Sequence, residues 1–336
     1  MWNPPKPRGR FRHKPGLTGW TDSKITYVDR MRASAIRCMA SSKRSSRVAA
    51  ATFEHHVQIW DVETRAVVNE FETVFSFGGH RLTLDPLGKR CIAAAWKAGK
   101  HGGVACYEAN TGKLIWHRQD LRQTQRLRFS PGGEAAWCIP DSGPARLLDA
   151  ANGKTLDAIT GVRDIFDSEY SSDLVLEKRK RDYILRKDKT RQIPRLTFAI
   201  LDVAFAPHSL AISESGGPVR CIDFSAGTEL WRYSPCKQIH FLRVWYRQKD
   251  RNFYGVQWDF QTGSFRSLVR LDSNSGEPNL ICQLNSWEEV YCPKFDCVVT
   301  SNGEVLDLSD GHLLHRLQFP QTEYPDKNES MELPTV

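Results

Sequence analysis

Three kinds of grouping in this chain could do chemistry. Glu54-His55-His56 sets two imidazoles beside a carboxylate, which suits proton transfer or, with neighbouring carboxylates, a metal ion. The plainer reading is a solvated loop, because His80, His101, His208, His240, His312 and His315 are scattered without ligand spacing. Cys292 and Cys297 are separated by four intervening residues with no matching Cys or His pair, so no zinc signature forms around them. Carboxylates recur at Asp61, Glu108, Asp149, Asp223, Asp272 and Asp307. A ring of acids could be catalytic, yet an Asp ahead of a turn accepts backbone hydrogen bonds and shapes that turn, and this structural role is the expectation.

The third grouping is cationic. Lys97, Lys100 and His101 fall in one loop, and Lys178, Arg179, Lys180 and Arg181 fall in another at the same place in its repeat. Together they would form either a solvated charge run or a docking patch for an acidic partner. Ser41-Ser42-Lys43-Arg44-Ser45-Ser46-Arg47 adds a further basic loop. Near the N-terminus, Lys6, Arg8, Arg10, Arg12 and Lys14 could neutralise phosphates while Phe11 and Trp2 offer stacking surfaces to nucleic acid. Residues 1–50 hold twelve Lys and Arg against two Asp, so the remaining 286 residues sum to −2 although the chain carries +8. The basicity is thus mainly N-terminal. There is no Gly-x-x-x-x-Gly-Lys-Ser/Thr, Gly-x-Ser-x-Gly or His-Glu-x-x-His, and no cofactor is expected.

The elements that must position these groups are strands. Period-2 runs broken by turn residues fill the chain, with almost no helical periodicity. A recurring phrase joins an apolar run to an acidic residue, a small turn and a second run, as in Val104–Gly112, Arg146–Gly153, Val219–Gly227 and Leu268–Gly276. Each repeat divides into four strands. In the first these are Ala35–Ala40, Val48–Phe53, Val57–Val62 and Ala66–Phe71. The fourth repeat is the most degenerate, with Val162–Phe166, Leu174–Glu177, Asp182–Arg186 and Gln192–Leu196. Units of ~40–50 residues with four strands match the blade of a propeller, which buries its two faces against neighbours in a ring. The expectation is an all-β chain folded as a single β-propeller of seven four-stranded blades, with six or eight left open by the fourth repeat. It would span 25–319, between a basic Pro/Gly/Arg-rich arm (1–24) and an acidic tail (320–336). Ile25–Val28 is a candidate for an extra strand closing the ring onto the last blade.

Trp60-Asp61 followed by Gly79-His80 resembles the signature of WD40 repeats. Thr111-Gly112-Lys113-Leu114-Ile115-Trp116 and Ala226-Gly227-Thr228-Glu229-Leu230-Trp231 are more similar to the repeats of quinoprotein-type propellers. That resemblance implies that the Gly makes the turn between third and fourth strands and that the Trp docks on the neighbouring blade. It carries fold rather than activity.

No apolar run approaches the roughly 20 residues of a membrane span, and Met1–Arg8 lacks the apolar core of a secretory signal. The nine cysteines lie mostly in apolar runs and are expected to be reduced, in a cytoplasmic protein. The function expected is a non-catalytic protein-interaction scaffold with a protein partner of acidic character. The alternatives are a metal-dependent hydrolase or lyase using His55, His56 and carboxylates at the channel mouth, and a nucleic-acid-associated protein acting through the arm.

Overall fold

The computed structural model describes residues 36–52, 56–75, 81–95, 102–121, 123–140, 142–160, 162–167, 175–179, 182–186, 191–192, 200–215, 217–223, 225–235, 239–259, 266–286 and 288–317; between 161 and 199 only the backbone is described. Every element among them is a strand. The first blade holds β1 (Ile36–Ser41), β2 (Arg47–Thr52), β3 (His56–Asp61) and β4 (Ala66–Glu72). The second holds β5 (Arg81–Leu84), β6 (Arg90–Ala94), β7 (Val104–Glu108) and β8 (Leu114–Arg118). The third holds β9 (Thr124–Phe129), β10 (Ala135–Pro140), β11 (Ala145–Asp149) and β12 (Thr155–Ile159). A fourth sheet holds β13 (Val162–Asp167), β14 (Val175–Arg179), β15 (Asp182–Arg186) and β16 (Arg191–Gln192). Then come β17 (Ile200–Phe205), β18 (Ser209–Glu214), β19 (Val219–Asp223) and β20 (Glu229–Tyr233). The sixth unit holds β21 (Ile239–Arg247), β22 (Asn252–Asp259), β23 (Arg266–Leu271) and β24 (Pro278–Leu284). The last holds β25 (Glu289–Cys292), β26 (Cys297–Thr300), β27 (Glu304–Asp307) and β28 (Leu313–Arg316).

All pairings are antiparallel between consecutive strands, so every four-stranded sheet comes from one contiguous stretch of chain. Six blades are described to the side chain, where seven were expected. The count of seven rests on the fourth sheet, known here by its backbone pairing and by the approach of β13 to β10 and β11. Ile25–Val28, the arm and the tail lie outside the described residues. The last sheet already takes its four strands from its own stretch.

First strands of neighbouring blades approach one another, β25 with β1, β1 with β5, β5 with β9 and β17 with β21, and so surround the axis. Fourth strands form the rim, where Leu156, Leu230 and Leu280 are exposed. The core lies between blades. Ala49, Val57 and Ile59 of the first pack with Leu82, Cys91 and Tyr107 of the second. Trp60 and Val48 of the first pack with Cys292, Val299 and Val305 of the last.

The recurrent carboxylate does what its place before a turn dictates. Asp149 Oδ1 accepts from Ala151 N (2.7 Å), and Asp272 Oδ1 accepts from Asn274 N (3.0 Å) and Ser275 N (2.8 Å). The turn closes with Gly153 N donating to Asp149 O at 2.8 Å, and the same bond recurs at Gly112, Gly227, Gly276 and Gly311. Gly153 has φ +72°, and a Cβ there would lie 2.7 Å from Cδ2 of Trp116. That tryptophan, 8% exposed, donates its indole N–H to Ala150 O (3.1 Å) in the next blade. The turn glycine is therefore needed twice, for its left-handed backbone and for the ring resting on it. Gly276 stands in the same relation to Trp231, with 2.3 Å to Cε3. Both tryptophans dock as the resemblance implies.

Candidate functional site

Loops joining first to second strands converge at one end of the axis, around a cavity of about 790 Å³. In the first blade this loop is Ser42–Arg47, and its serines pin it. Ser42 Oγ donates to Pro86 O (2.6 Å), and Ser45 N donates to Ser42 Oγ (3.3 Å). Ser46 Oγ donates to Asp61 Oδ2 (2.7 Å). Arg44 N donates to Pro86 O at 2.8 Å, and Arg47 Nη1 to Gly88 O at 2.6 Å. The backbone is held down while the side chains of Lys43 and Arg44 are exposed at the cavity.

The β21–β22 loop brings Tyr246, Arg247, Gln248 and Lys249, and the β25–β26 loop brings Pro293, Lys294 and Asp296. Arg247 braces the two. Its Nε donates to both Asp296 carboxylate oxygens at 2.8 Å, Nη2 also reaches Asp296, and Nη1 reaches Tyr254 Oη (3.1 Å) and Asp250 Oδ2 (3.3 Å). The Asp296 bonds hold the guanidinium pKa above its ordinary value despite burial. Burial, then the neighbouring Asp250 carboxylate, pushes the Tyr254 hydroxyl up to about 12, and it donates to Asp250 Oδ2 at 2.5 Å.

Deeper in the cavity, Asp202 accepts from Arg128 Nη2 (3.4 Å) and Val244 N (3.2 Å). The lining thus holds six basic residues (Lys43, Arg44, Arg128, Arg247, Lys249, Lys294) against Asp202 and Asp296. Both carboxylates are engaged by arginines of the wall. The lysines and Arg44 at the rim are exposed, beside the aromatic faces of Trp245, Tyr246 and Tyr291. Chemically, the arrangement can attract negative charge and offer apolar surface next to it. Among the described residues neither His nor Cys lines it.

Of the groups read from sequence, the Ser41–Arg47 loop is the one brought to this mouth. His56 opens β3, with Nδ1 3.7 Å from Glu70 and Nε2 3.7 Å from Glu72, two strands away from the axis. His55, Lys97, Lys100, His101, Lys180, Arg181 and the arm residues Lys6, Arg8, Arg10, Phe11, Arg12 and Lys14 lie outside the described residues. Lys178 and Arg179 end β14, and backbone pairing of Arg179 with Asp182 puts them at a hairpin between second and third strands. Cys292 and Cys297 face each other across β25 and β26. Among the described residues no group of three His, Cys, Asp or Glu could hold a metal, and no helix is long and apolar enough to cross a membrane.

Arg247, Lys249 and Lys294 were missed because their convergence depends on ring order. A signal was present for two deeper arginines: Arg81-Leu82-Thr83-Leu84-Asp85-Pro86 and Arg126-Leu127-Arg128-Phe129-Ser130-Pro131 put Arg at one place in two repeats. No protein-family model matches this chain, and no curated protein is similar to it in sequence.

Proposed function

We propose that this β-propeller is a non-catalytic interaction module that docks an acidic segment of a partner protein at the mouth formed by its first-to-second-strand loops. The observation that carries the reading is the cavity lining, six cations to two anions with four aromatic side chains, Phe205, Trp245, Tyr246 and Tyr291, alongside. Long-range attraction would gather an acidic chain, and the aromatic faces would supply the desolvated anchors that hold it. Turn glycines under docked tryptophans support kinship with quinoprotein-type repeats, and Trp60-Asp61 with WD40 repeats. The eight described cysteines are free thiols, which suits a reducing compartment such as the cytoplasm. The metal-dependent alternative gains nothing from His56, whose carboxylate neighbours sit on the rim side of its blade.

The test is fluorescence anisotropy of a labelled peptide alternating Glu with Leu and Tyr. The expected result is binding that weakens steeply between ~50 and ~300 mM salt, and that the double substitution K43E/R44E reduces at least about tenfold, a loss of ~1.4 kcal/mol. Equal binding by that variant would remove the mouth from the reading, and wild-type indifference to the peptide would remove the acidic partner.

A further inference from the structure

One layer of the channel wall is built alike in every blade described to the side chain. The first strand sets Cys38 opposite Ala51, Arg81 opposite Ala94, Arg126 opposite Ile139, Asp202 opposite Ser213 and Arg243 opposite Val256. In the last blade Glu288, just ahead of β25, takes this place and accepts from Ser301 N at 2.8 Å. In four blades the pairing slips by one residue immediately before the layer, between Ile36 and Cys38, Thr124 and Arg126, Ile200 and Asp202, and Phe241 and Arg243. Bulges re-aim side chains and free a carbonyl. Two of those carbonyls are used: Arg81 Nε donates to Gln125 O (2.6 Å), and Arg126 Nη2 to Leu201 O (3.1 Å), from the third blade to the fifth. Arg243 Nη2 donates to Glu288 Oε2 at 3.0 Å.

The arginines of the layer stand within reach of one another's charge: Arg126 and Arg243 both act on Arg81, and the Glu288 carboxylate acts on Arg81 and Arg243. The other carboxylate, Asp202, is already engaged by Arg128 and Val244 N. Burial, and then the nearby Arg126, lowers the pKa of Arg81; burial lowers that of Arg37, with Arg81 adding to it. The layer still meets water: Arg243 and Glu288 side chains are 35% and 29% exposed, and the cavity of the mouth extends inward to Asp202 and Val244. Four residue steps along the strand lead from Cys38 to the loop residue Ser42, a depth of about 13 Å.

We propose that this arginine layer is a second site, distinct from the peptide mouth, that binds a compact polyphosphate anion on the channel axis. Guanidiniums carried on different blades can converge on one such ion, each offering charge-assisted hydrogen bonds, and the ion offsets their mutual repulsion. A flexible acidic chain spreads its charge too widely to match a single layer.

The experiment is calorimetric titration of the full chain with inorganic tripolyphosphate at ~150 mM salt. R81Q is expected to weaken binding about tenfold, R81K to restore most of it, and E288Q to tighten it about threefold, because it removes the carboxylate that competes with the ion. The gain with E288Q cannot arise from a damaged fold. K43E/R44E is expected to leave tripolyphosphate binding within about twofold of wild type. Absence of wild-type binding, or loss in K43E/R44E with R81Q and E288Q unchanged, overturns the proposal. The peptide assay at the mouth succeeds or fails independently of both.

Discussion

An aspartate two residues ahead of an amide it caps is worth more ionised than protonated. Hydrogen bonds from Ser275 N, then Asn274 N and the Ser275 hydroxyl, hold the Asp272 carboxyl below the ordinary carboxylate range. The Ser225 hydroxyl, then Ala226 N, does the same for Asp223. At Asp61 burial works upward, but the Ser46 hydroxyl and the Thr64 and Glu63 amides outweigh it. In each case the folded pKa lies below the unfolded one. The stability they contribute is complete above the unfolded value, about 4, and is lost as pH falls through the folded value. The urea midpoint is therefore expected to hold from pH ~7 to ~5 and to drop below ~4, and D272N should lower the plateau while making the drop shallower. An unchanged acid limb in D272N would show that this turn does not couple to unfolding.

At the scale of the element, the repeated unit is a turn glycine beneath the aromatic side chain of the preceding blade. Gly153→Ala must place a methyl against the Trp116 ring and hold Ala at φ +72°. G153A is expected to cost about 2–4 kcal/mol, because overpacking adds to the backbone term, and about 1 kcal/mol, the backbone term alone, when made in a W116A background that lacks the ring. Equilibrium urea unfolding separates the two, and equal costs would mean that the blade interface absorbs the methyl freely. This unit was legible in the sequence, as were the strand bounds of the first blade: β1 to β4 fall within one residue of the expected segments, and β15 matches its own, because alternation and turn residues are local properties. In the fourth repeat the last strand is described at Arg191–Gln192, and the rest of the expected Gln192–Leu196 lies outside the described residues. The mouth was half legible. Ser41–Arg47 announces a basic loop by composition, whereas Arg247 and Lys294, on the sixth and last blades, become its neighbours only when the ring brings the first and last blades side by side.

For the whole molecule, positive charge is carried by the channel and, in the sequence, by the N-terminal arm. The arm, residues 1–24, holds six of the twelve cations and one of the two anions in residues 1–50, half of their excess. Deleting residues 1–24 should abolish salt-sensitive association with single-stranded nucleic acid, measured by anisotropy with a labelled oligonucleotide, and should leave peptide binding at the mouth within about twofold. Nucleic-acid binding that survives the deletion would assign it to the propeller instead.

Ring closure depends on packing rather than on a shared sheet among the described strands. Ser41 Oγ reaches Tyr291 O at 2.5 Å across the seam, and Trp60, 1% exposed, is covered by residues of the last blade. On the ribosome this has a cost in time. The partners that hide Trp60, from Cys292 onward, are translated long after it, so one apolar face of the first blade waits uncovered while the rest of the ring is synthesised. The nascent chain is thus most open to chaperones, and to misassembly with a neighbour on the same message, until its final blade leaves the exit tunnel.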